Sequence, residues 1–222
     1  MSQALLQFVV FPLAAYLVGS IPFGLIIAAA KGVNLRAAGS GNIGATNVAR
    51  VIGRRWGYLC FLLDTAKGFL PVLLVGLYLR RGGTGVPSPA QQAAWLLAAF
   101  AAIIGHILTV FGRFRGGKGV ATSLGVLLGM YPFCTAAGAA ALAVWVVCVL
   151  IWRYVSLASI VAAIAFPVLF VAISGLAGWP IGRLWPLLAF AILMSLLIIA
   201  RHRSNIRRLL AGTENKVLHK LP

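Results

Sequence analysis

Val120–Trp152 reads VATSLGVLLGMYPFCTAAGAAALAVWVVCVLIW, 33 residues without one charged side chain, and the fold turns on how it is divided. A helix crosses the hydrocarbon core of a bilayer in roughly 20 residues, so the stretch is too long for one crossing and short for two. Met130-Tyr131-Pro132 interrupts it. Proline cannot donate to a continuing helix, and it pushes the residue before it out of the helical region. The division is therefore a short fourth span, Val120 to about Met130, and a fifth, Pro132–Trp152. The small residues of Ala136–Ala143 suit close helix packing; they would equally suit a groove for an apolar chain.

Outward from this stretch the chain is more of the same. Of its 222 residues 62% are hydrophobic and 9% charged, with a mean hydropathy of +1.02. A soluble domain must meet water with its surface and has no use for so much apolar residue. The remaining spans read as Gln3–Ala30, with Pro12 and Pro22 as kinking points, then Trp56–Leu79, Ala90–Phe111, about Leu157–Leu176 and about Leu184–Ala200. Gln3–Ala30 has no basic leader and is too long for a signal-peptide core, so it reads as a retained span.

Loop charge tests the count. With seven spans and the N-terminus outside, one face carries Lys31, Arg36, Arg50, Arg54, Arg55, Arg113, Arg115, Lys118, Arg153, Arg201, Arg203, Arg207, Arg208, Lys216 and Lys220. The other face carries Arg80, Arg81 and Arg183, and Lys67 lies inside a span. Fifteen against three is the asymmetry expected of cytoplasmic against outer loops; merging spans four and five would destroy it. The expectation is an all-α integral membrane protein, one domain over 1–222, a bundle of seven transmembrane helices with span four short, N-terminus outside and C-terminus cytoplasmic.

Nineteen Lys and Arg face only two acids, Asp64 and Glu214. Orientation explains much of the excess but not the scarcity of acids, which suits surfaces that handle anions. Nucleic acid is excluded as partner: the basic residues sit in short loops and no reading motif accompanies them. Cys60, Cys134 and Cys148 lie in apolar stretches without metal or redox spacing and read as small buried hydrophobes.

Gly39–Arg50, GSGNIGATNVAR, stands out against this background. Three glycines let backbone approach a ligand, Ser40, Asn42, Thr46 and Asn47 offer neutral hydrogen bonds, and Arg50 offers a fixed fork for phosphate. Gly41 belongs to the same candidate anion-binding loop; the residues also suit a flexible turn. The run matches GxGxxG, but that fingerprint requires a strand before it and a βαβ unit, so dinucleotide binding is rejected. Gly112–Gly119, GRFRGGKG, nearly matches a P-loop, with Gly119 where a magnesium-holding Ser or Thr belongs. What survives is a phosphate site: amides of Gly116, Gly117 and Gly119, and the charge of Lys118, where a helix opens at Val120. A basic glycine turn is the plainer alternative.

Asp64 and Lys67 share a helix face and pair. Neither His106 nor His202 has an Asp five residues on, so the HxxxxD acyltransferase arrangement is absent. His106 reads as helix packing and structural support. His202 and Asn205 share one face of a helix continuing out of the last span. Glu214, among Arg208 and Lys216, reads as an ion-pair anchor, and His219 as irrelevant.

Taken together, residues 39–50, 105–122 (GHILTVFGRFRGGKGVAT) and 202–216 (HRSNIRRLLAGTENK) resemble the three cytoplasmic motifs of the PlsY family, bacterial membrane acyl-phosphate:glycerol-3-phosphate acyltransferases. The resemblance runs over nearly the whole chain. It implies transfer of an acyl chain from acyl phosphate to the 1-hydroxyl of glycerol 3-phosphate, without metal or cofactor, giving 1-acylglycerol 3-phosphate and inorganic phosphate. It places active-site roles on Ser40, Arg50, Lys118, His202 and Asn205, and substrate contact on Ser156. It implies a bacterial inner-membrane location with the site facing the cytoplasm. The donor must come from a soluble enzyme, whose docking on the basic face is an expected partnership. The residue chemistry agrees: two anionic substrates must be held together by cations and amides, and an activated anhydride requires no enzyme nucleophile. The rival reading, a transporter of a phosphorylated metabolite, predicts polar groups near the middle of several spans, and only Asp64–Lys67 qualifies.

Overall fold

The computed structural model describes residues 2–81, 83 and 85–216; His219 and Lys220 lie outside them. The described residues are helical and form no strand. The chain divides into two compact units at Tyr131/Pro132, within the Met-Tyr-Pro interruption of the long uncharged stretch.

The first unit begins with α1 (Gln3–Leu5), a π turn and α2 (Phe11–Gly19), breaks at Ser20-Ile21-Pro22, and resumes as α3 (Phe23–Ala29). Pro22 thus interrupts the first span at a kinking point that the sequence marks, and Gln3–Ala29 still has the length of one crossing. Two of the carbonyls at the break find donors from other elements: Lys67 Nζ donates to Ile21 O at 2.7 Å, and Thr109 Oγ1 donates to Ser20 O. A broken membrane helix survives only where neighbours satisfy its backbone in this way.

Next come α4 (Ala45–Val51), α5 (Arg54–Leu79), α6 (Pro89–Ile107) and α7 (Val120–Gly129). The start of α6 is written locally: Ser88 Oγ accepts from Gln91 N, Gln91 Oε1 accepts from Ser88 N, and Pro89 takes the first helical position. Glycines set the packing. A Cβ on Gly68 would lie 2.3 Å from Thr122 O, and one on Gly125 1.9 Å from Thr65 O, so α5 and α7 touch backbone to backbone. Gly19 and Gly105 do the same for α2 and α6, against Ala102 O and Tyr16 O. In lipid such close contact supplies the dispersion energy that hydrophobic exclusion cannot.

The second unit holds α8 (Thr135–Trp152), α9 (Val155–Leu176), α10 (Trp185–Arg201) and α11 (Arg203–Leu210). Ala137, Gly138 and Ala141 are buried in α8, which packs on α9, so part of the small-residue run serves packing. Pro167 inside α9 frees the Ala163 carbonyl, and Ser195 Oγ of α10 donates to it. Arg153, in the left-handed region at φ 62°, turns the chain from α8 into α9.

Among the described residues five helices have the length and polarity to cross a membrane: Gln3–Ala29, Arg54–Leu79, Pro89–Gly112, Thr135–Trp152 and Val155–Leu176. The pair α10–α11, bent by 59°, makes a sixth if taken together. Helix α7 has 10 residues. At 1.5 Å per residue it measures about 15 Å, roughly half the hydrocarbon thickness.

The α5–α7 contact gives a direct test. Gly125→Val drives a side chain into backbone and is expected to cost about 1–3 kcal/mol, lowering the melting temperature in detergent. Gly175→Ala on α9, where no atom lies within 4 Å of the added Cβ, is expected to leave it unchanged or raise stability by up to about 1 kcal/mol.

Candidate active site

In the first unit the glycine loop is built around Asn47, only 2% exposed. Its Oδ1 accepts from Ser40 N at 2.9 Å, and its Nδ2 donates to Asn42 O at 2.8 Å, Ala38 O at 3.1 Å and Leu35 O at 3.4 Å. Gly39 is required twice over: its φ is +61°, and a Cβ would stand 2.3 Å from Asn47 Oδ1. Asn42 accepts from Gly44 N at 2.8 Å through Oδ1. These bonds commit Asn47 to building the loop. Ser40 is exposed, Gly41, Asn42 and Thr46 are partly so, and Arg50 is exposed in the last turn of α4.

Arg36 joins this loop to the second one. Its Nη2 donates to Gly112 O at 2.9 Å and to Arg115 O at 2.8 Å. Between those carbonyls Arg113 and Phe114 both take left-handed conformations, φ 55° and 57°, at about 1–2 kcal/mol each. Gly116 N donates to Ile107 O at 2.9 Å and Gly117 N to His106 O at 3.2 Å. The phosphate-facing amide expectation is corrected here: those two N–H groups are bound to the end of α6, and of the three glycines only Gly119 is not committed to those carbonyls. Gly116 and Gly117 are small because a Cβ would meet His106 O at 1.9 Å and His106 Nε2 at 2.2 Å. Gly119, φ +87°, opens α7, leaving half-buried Lys118 at the helix entrance.

Below the second loop lies a buried polar group. Asp64 Oδ1 and Lys67 Nζ are 2.6 Å apart, each side chain 3% exposed. His106 Nδ1 stands 3.8 Å from Asp64 Oδ1, an electrostatic contact longer than a hydrogen bond, and Cys60 Sγ lies 3.6 Å from Asp64 Oδ2. His106 is therefore both a structural support of the loop and a neighbour of the buried pair.

In the second unit Glu214 is the hub. Its Oε1 accepts from Ser156 Oγ at 2.7 Å and Asn205 Nδ2 at 2.6 Å, and its Oε2 pairs with Arg208 Nε at 2.6 Å. Burial works against its charge, yet the hydrogen bonds from Asn205, Ser156 and Arg208, with the Arg208 charge, outweigh it and hold the carboxyl below its ordinary range. Lys216 is placed differently from the ion-pair expectation: it stands over the Tyr154 ring, 5.5 Å from its centroid. His202 and Asn205 do not lie on one continuing helix, because the chain bends 59° between Arg201 and Arg203. His202, 2% exposed, turns Nδ1 toward Ile198 O at 2.7 Å. A carbonyl only accepts, so Nδ1 carries the proton and Nε2 is the basic nitrogen of the neutral ring.

The structure thus brings Ser156, Asn205 and Glu214 together, and ties Ser40, Asn42 and Asn47 into one loop. Sequence reasoning missed Arg36, counted only as loop charge. Its partners are backbone carbonyls 76 and 79 residues away, which no local pattern announces. The Asp64–His106 approach was missed too, although a charged residue inside a span was a signal for it.

The sequence model of the glycerol-3-phosphate acyltransferase family matches residues 9–212. The chain is similar to glycerol-3-phosphate acyltransferases of Geotalea daltonii (46% identical over 208 residues, 93% of this chain and 96% of that one) and Geobacter sulfurreducens (46% over 203 residues, 91% and 93%). Among solved structures it is similar to PlsY (YgiH), an integral membrane glycerol 3-phosphate acyltransferase, in its glycerol 3-phosphate form. There the TM-score is 0.78 and identity 42%, covering 93% of this chain and 94% of that one.

Two outcomes follow from these contacts. A carboxyl held below its ordinary value stabilises the folded chain above the unfolded value, near 4.5, and the contribution is lost as pH falls through the lowered folded value. Thermal unfolding of the wild type should therefore hold level from pH 7 to about pH 5 and fall on further acidification. Glu214→Gln should unfold lower at pH 7 and show a flatter acid limb. Arg36→Ala removes two charge-assisted bonds worth about 1 kcal/mol each after solvent screening. Hydrogen-exchange mass spectrometry should show protection across Gly112–Gly119 falling by about tenfold or more.

Proposed function

Because the chain belongs to the glycerol-3-phosphate acyltransferase family, we propose that its reaction is acyl transfer from acyl phosphate to the 1-hydroxyl of glycerol 3-phosphate. The hydroxyl oxygen forms the ester bond to the acyl carbon, the bond from that carbon to the phosphate oxygen breaks, and 1-acylglycerol 3-phosphate and inorganic phosphate leave. The observation that carries this reading is the Arg36 clamp, which joins the loop of Ser40 and Arg50 to the loop of Lys118. One basic, acid-poor surface results, suited to phosphate.

Lys118 and Arg50 grip phosphate, with Ser40, Gly41, Asn42, Thr46 and the Gly119 amide as neutral contacts. Asn47, Gly116 and Gly117 act by shaping the loops. Fixed cations offset the repulsion between two anionic substrates without reorganising during the reaction. In the second unit Glu214 holds Ser156 and Asn205 in place for substrate, and the attacking hydroxyl loses its proton to His202 Nε2 or to a substrate phosphate oxygen. The acyl phosphate is already activated, so no covalent enzyme intermediate intervenes.

Helix α7 is read as the short fourth of seven spans, with N-terminus outside and C-terminus cytoplasmic, in the bacterial inner membrane. Residues 1–222 serve as one acyltransferase domain. Basic loops on the cytoplasmic side suit transient docking of the soluble enzyme that makes acyl phosphate; loop charge supports the orientation.

The test is phosphate release by purified protein supplied with acyl phosphate and glycerol 3-phosphate. Lys118→Ala should lower kcat/KM by about 10²–10³-fold; unchanged kinetics would remove Lys118 from phosphate binding. His202→Ala should lower kcat by about 10²–10⁴-fold if the histidine takes the proton. Near wild-type turnover in a folded variant assigns the proton to substrate phosphate. Wild-type protein that releases no phosphate overturns the donor assignment.

A further inference from the structure

The acyl-transfer reading leaves the most buried charges of the first unit without a role. Asp64 and Lys67 are each 3% exposed, inside a helix long and apolar enough to cross a membrane. Burying two charges is expensive, and an apolar pair of the same volume often serves stability as well or better. What an apolar pair cannot do is act at a distance on named polar neighbours, and this pair has them on three sides. Lys67 reaches the Ile21 carbonyl at the α2–α3 break. Asp64 faces His106 Nδ1. Gly68, the next residue, carries Thr122 O against its Cα.

These contacts bracket Lys118. On its N-terminal side Gly117 hangs from His106, by an N–H bond to His106 O and by van der Waals contact with the ring at Nε2. On its C-terminal side Thr122, one helical turn later, rests on Gly68. Both supports lie beside Asp64 and Lys67. We infer that the Asp64–Lys67 pair positions Lys118: Asp64 fixes the His106 ring beneath Gly117, Lys67 locks α5 to the broken first span, and the segment bearing Lys118 is held between the two. Asp64, Lys67 and His106 are positioning residues, touching no substrate. The inference rests on the reading of Lys118 as a phosphate-binding residue.

The experiment compares Asp64→Asn, the double variant Asp64→Asn with Lys67→Met, and His106→Asn, in detergent-solubilised protein. Melting temperature, glycerol 3-phosphate binding by calorimetry, and KM and kcat are followed. Asp64→Asn strands the Lys67 charge and should melt lower. The double variant leaves no unpaired charge but takes the donor from the Ile21 carbonyl, so it should regain part of that loss. If the pair only holds helices together, the double variant also regains wild-type binding. If it positions Lys118, binding of glycerol 3-phosphate stays about tenfold to a hundredfold weaker, KM rises with it, and kcat changes less. His106→Asn keeps the ion pair and should weaken binding similarly at near wild-type melting temperature, which keeps the test decisive should the double variant fail to fold. Wild-type binding by the double variant or by His106→Asn overturns the inference. Because binding is measured without an acyl donor, failure of the acyl-phosphate assignment shows only in phosphate release. Unweakened binding by Lys118→Ala identifies failure of the Lys118 reading.

Discussion

A membrane helix cannot leave its backbone unpaired where no water reaches, and this chain breaks one in its first span. The Ile21 carbonyl at the break is taken by Lys67, and the Ser20 carbonyl by Thr109. Lys67 can sit there only because Asp64, one turn earlier on α5, neutralises it. One requirement, a partner for a carbonyl freed near a proline, thus ties together α2, α3, α5 and the segment that leads from α6 into the basic loop. The glycine contacts then draw α7 onto α5 and α6 onto α2 at backbone distance. The first unit is a set of close backbone approaches arranged around one ion pair, and its polar loops are borne on that frame.

The loops need such a frame because their sequences alone would not hold them. Two consecutive left-handed residues, Arg113 and Phe114, are unfavourable, and their flanking carbonyls are fastened by a single guanidinium from the other loop. Arginine fits this position because its planar fork stays charged and is less strongly hydrated than an ammonium. A binding surface assembled from cations must also resist its own repulsion. Here Arg36 directs its charge at the carbonyl dipoles of Gly112 and Arg115.

Much of the fold was legible because membrane segments announce themselves by length and apolarity. Long runs predicted α5, α6, α8 and α9 closely, and Pro132 marked the division between the two units. Pro22 was legible as a kinking point, but the donor that serves the interruption was not, since Lys67 lies 46 residues away. The segment read as loop between Lys31 and Arg55 contains α4, whose seven residues carry too short a pattern to stand out. The bend at His202 was invisible for a related reason: HRSNIRRLL contains no Gly or Pro to signal it. Residue types at the site were readable, but their division of labour was not. Asn47 looked like a ligand and builds a loop; the Gly116 and Gly117 amides looked open and are bound. Each difference concerns a partner distant in sequence or a backbone group that has no letter of its own.

Glu214 shows how a chain so rich in cations keeps one of its two acids. A free carboxylate beside phosphate would repel it, at a cost that grows as water is excluded. Glu214 is not free: each of its oxygens is engaged, one by Ser156 and Asn205, the other by Arg208. Its charge is spread over those donors, which is the same effect that lowers its proton affinity. In return the carboxylate orients two neutral side chains from different elements, Ser156 at the start of α9 and Asn205 in α11. A neutral glutamine would offer one accepting oxygen and one NH2 group that only donates, and could not accept from all three donors at once. The acid therefore belongs to the architecture of the second unit in the way that Asp64 belongs to the first. Each of the two acids in the chain is placed where several polar partners converge.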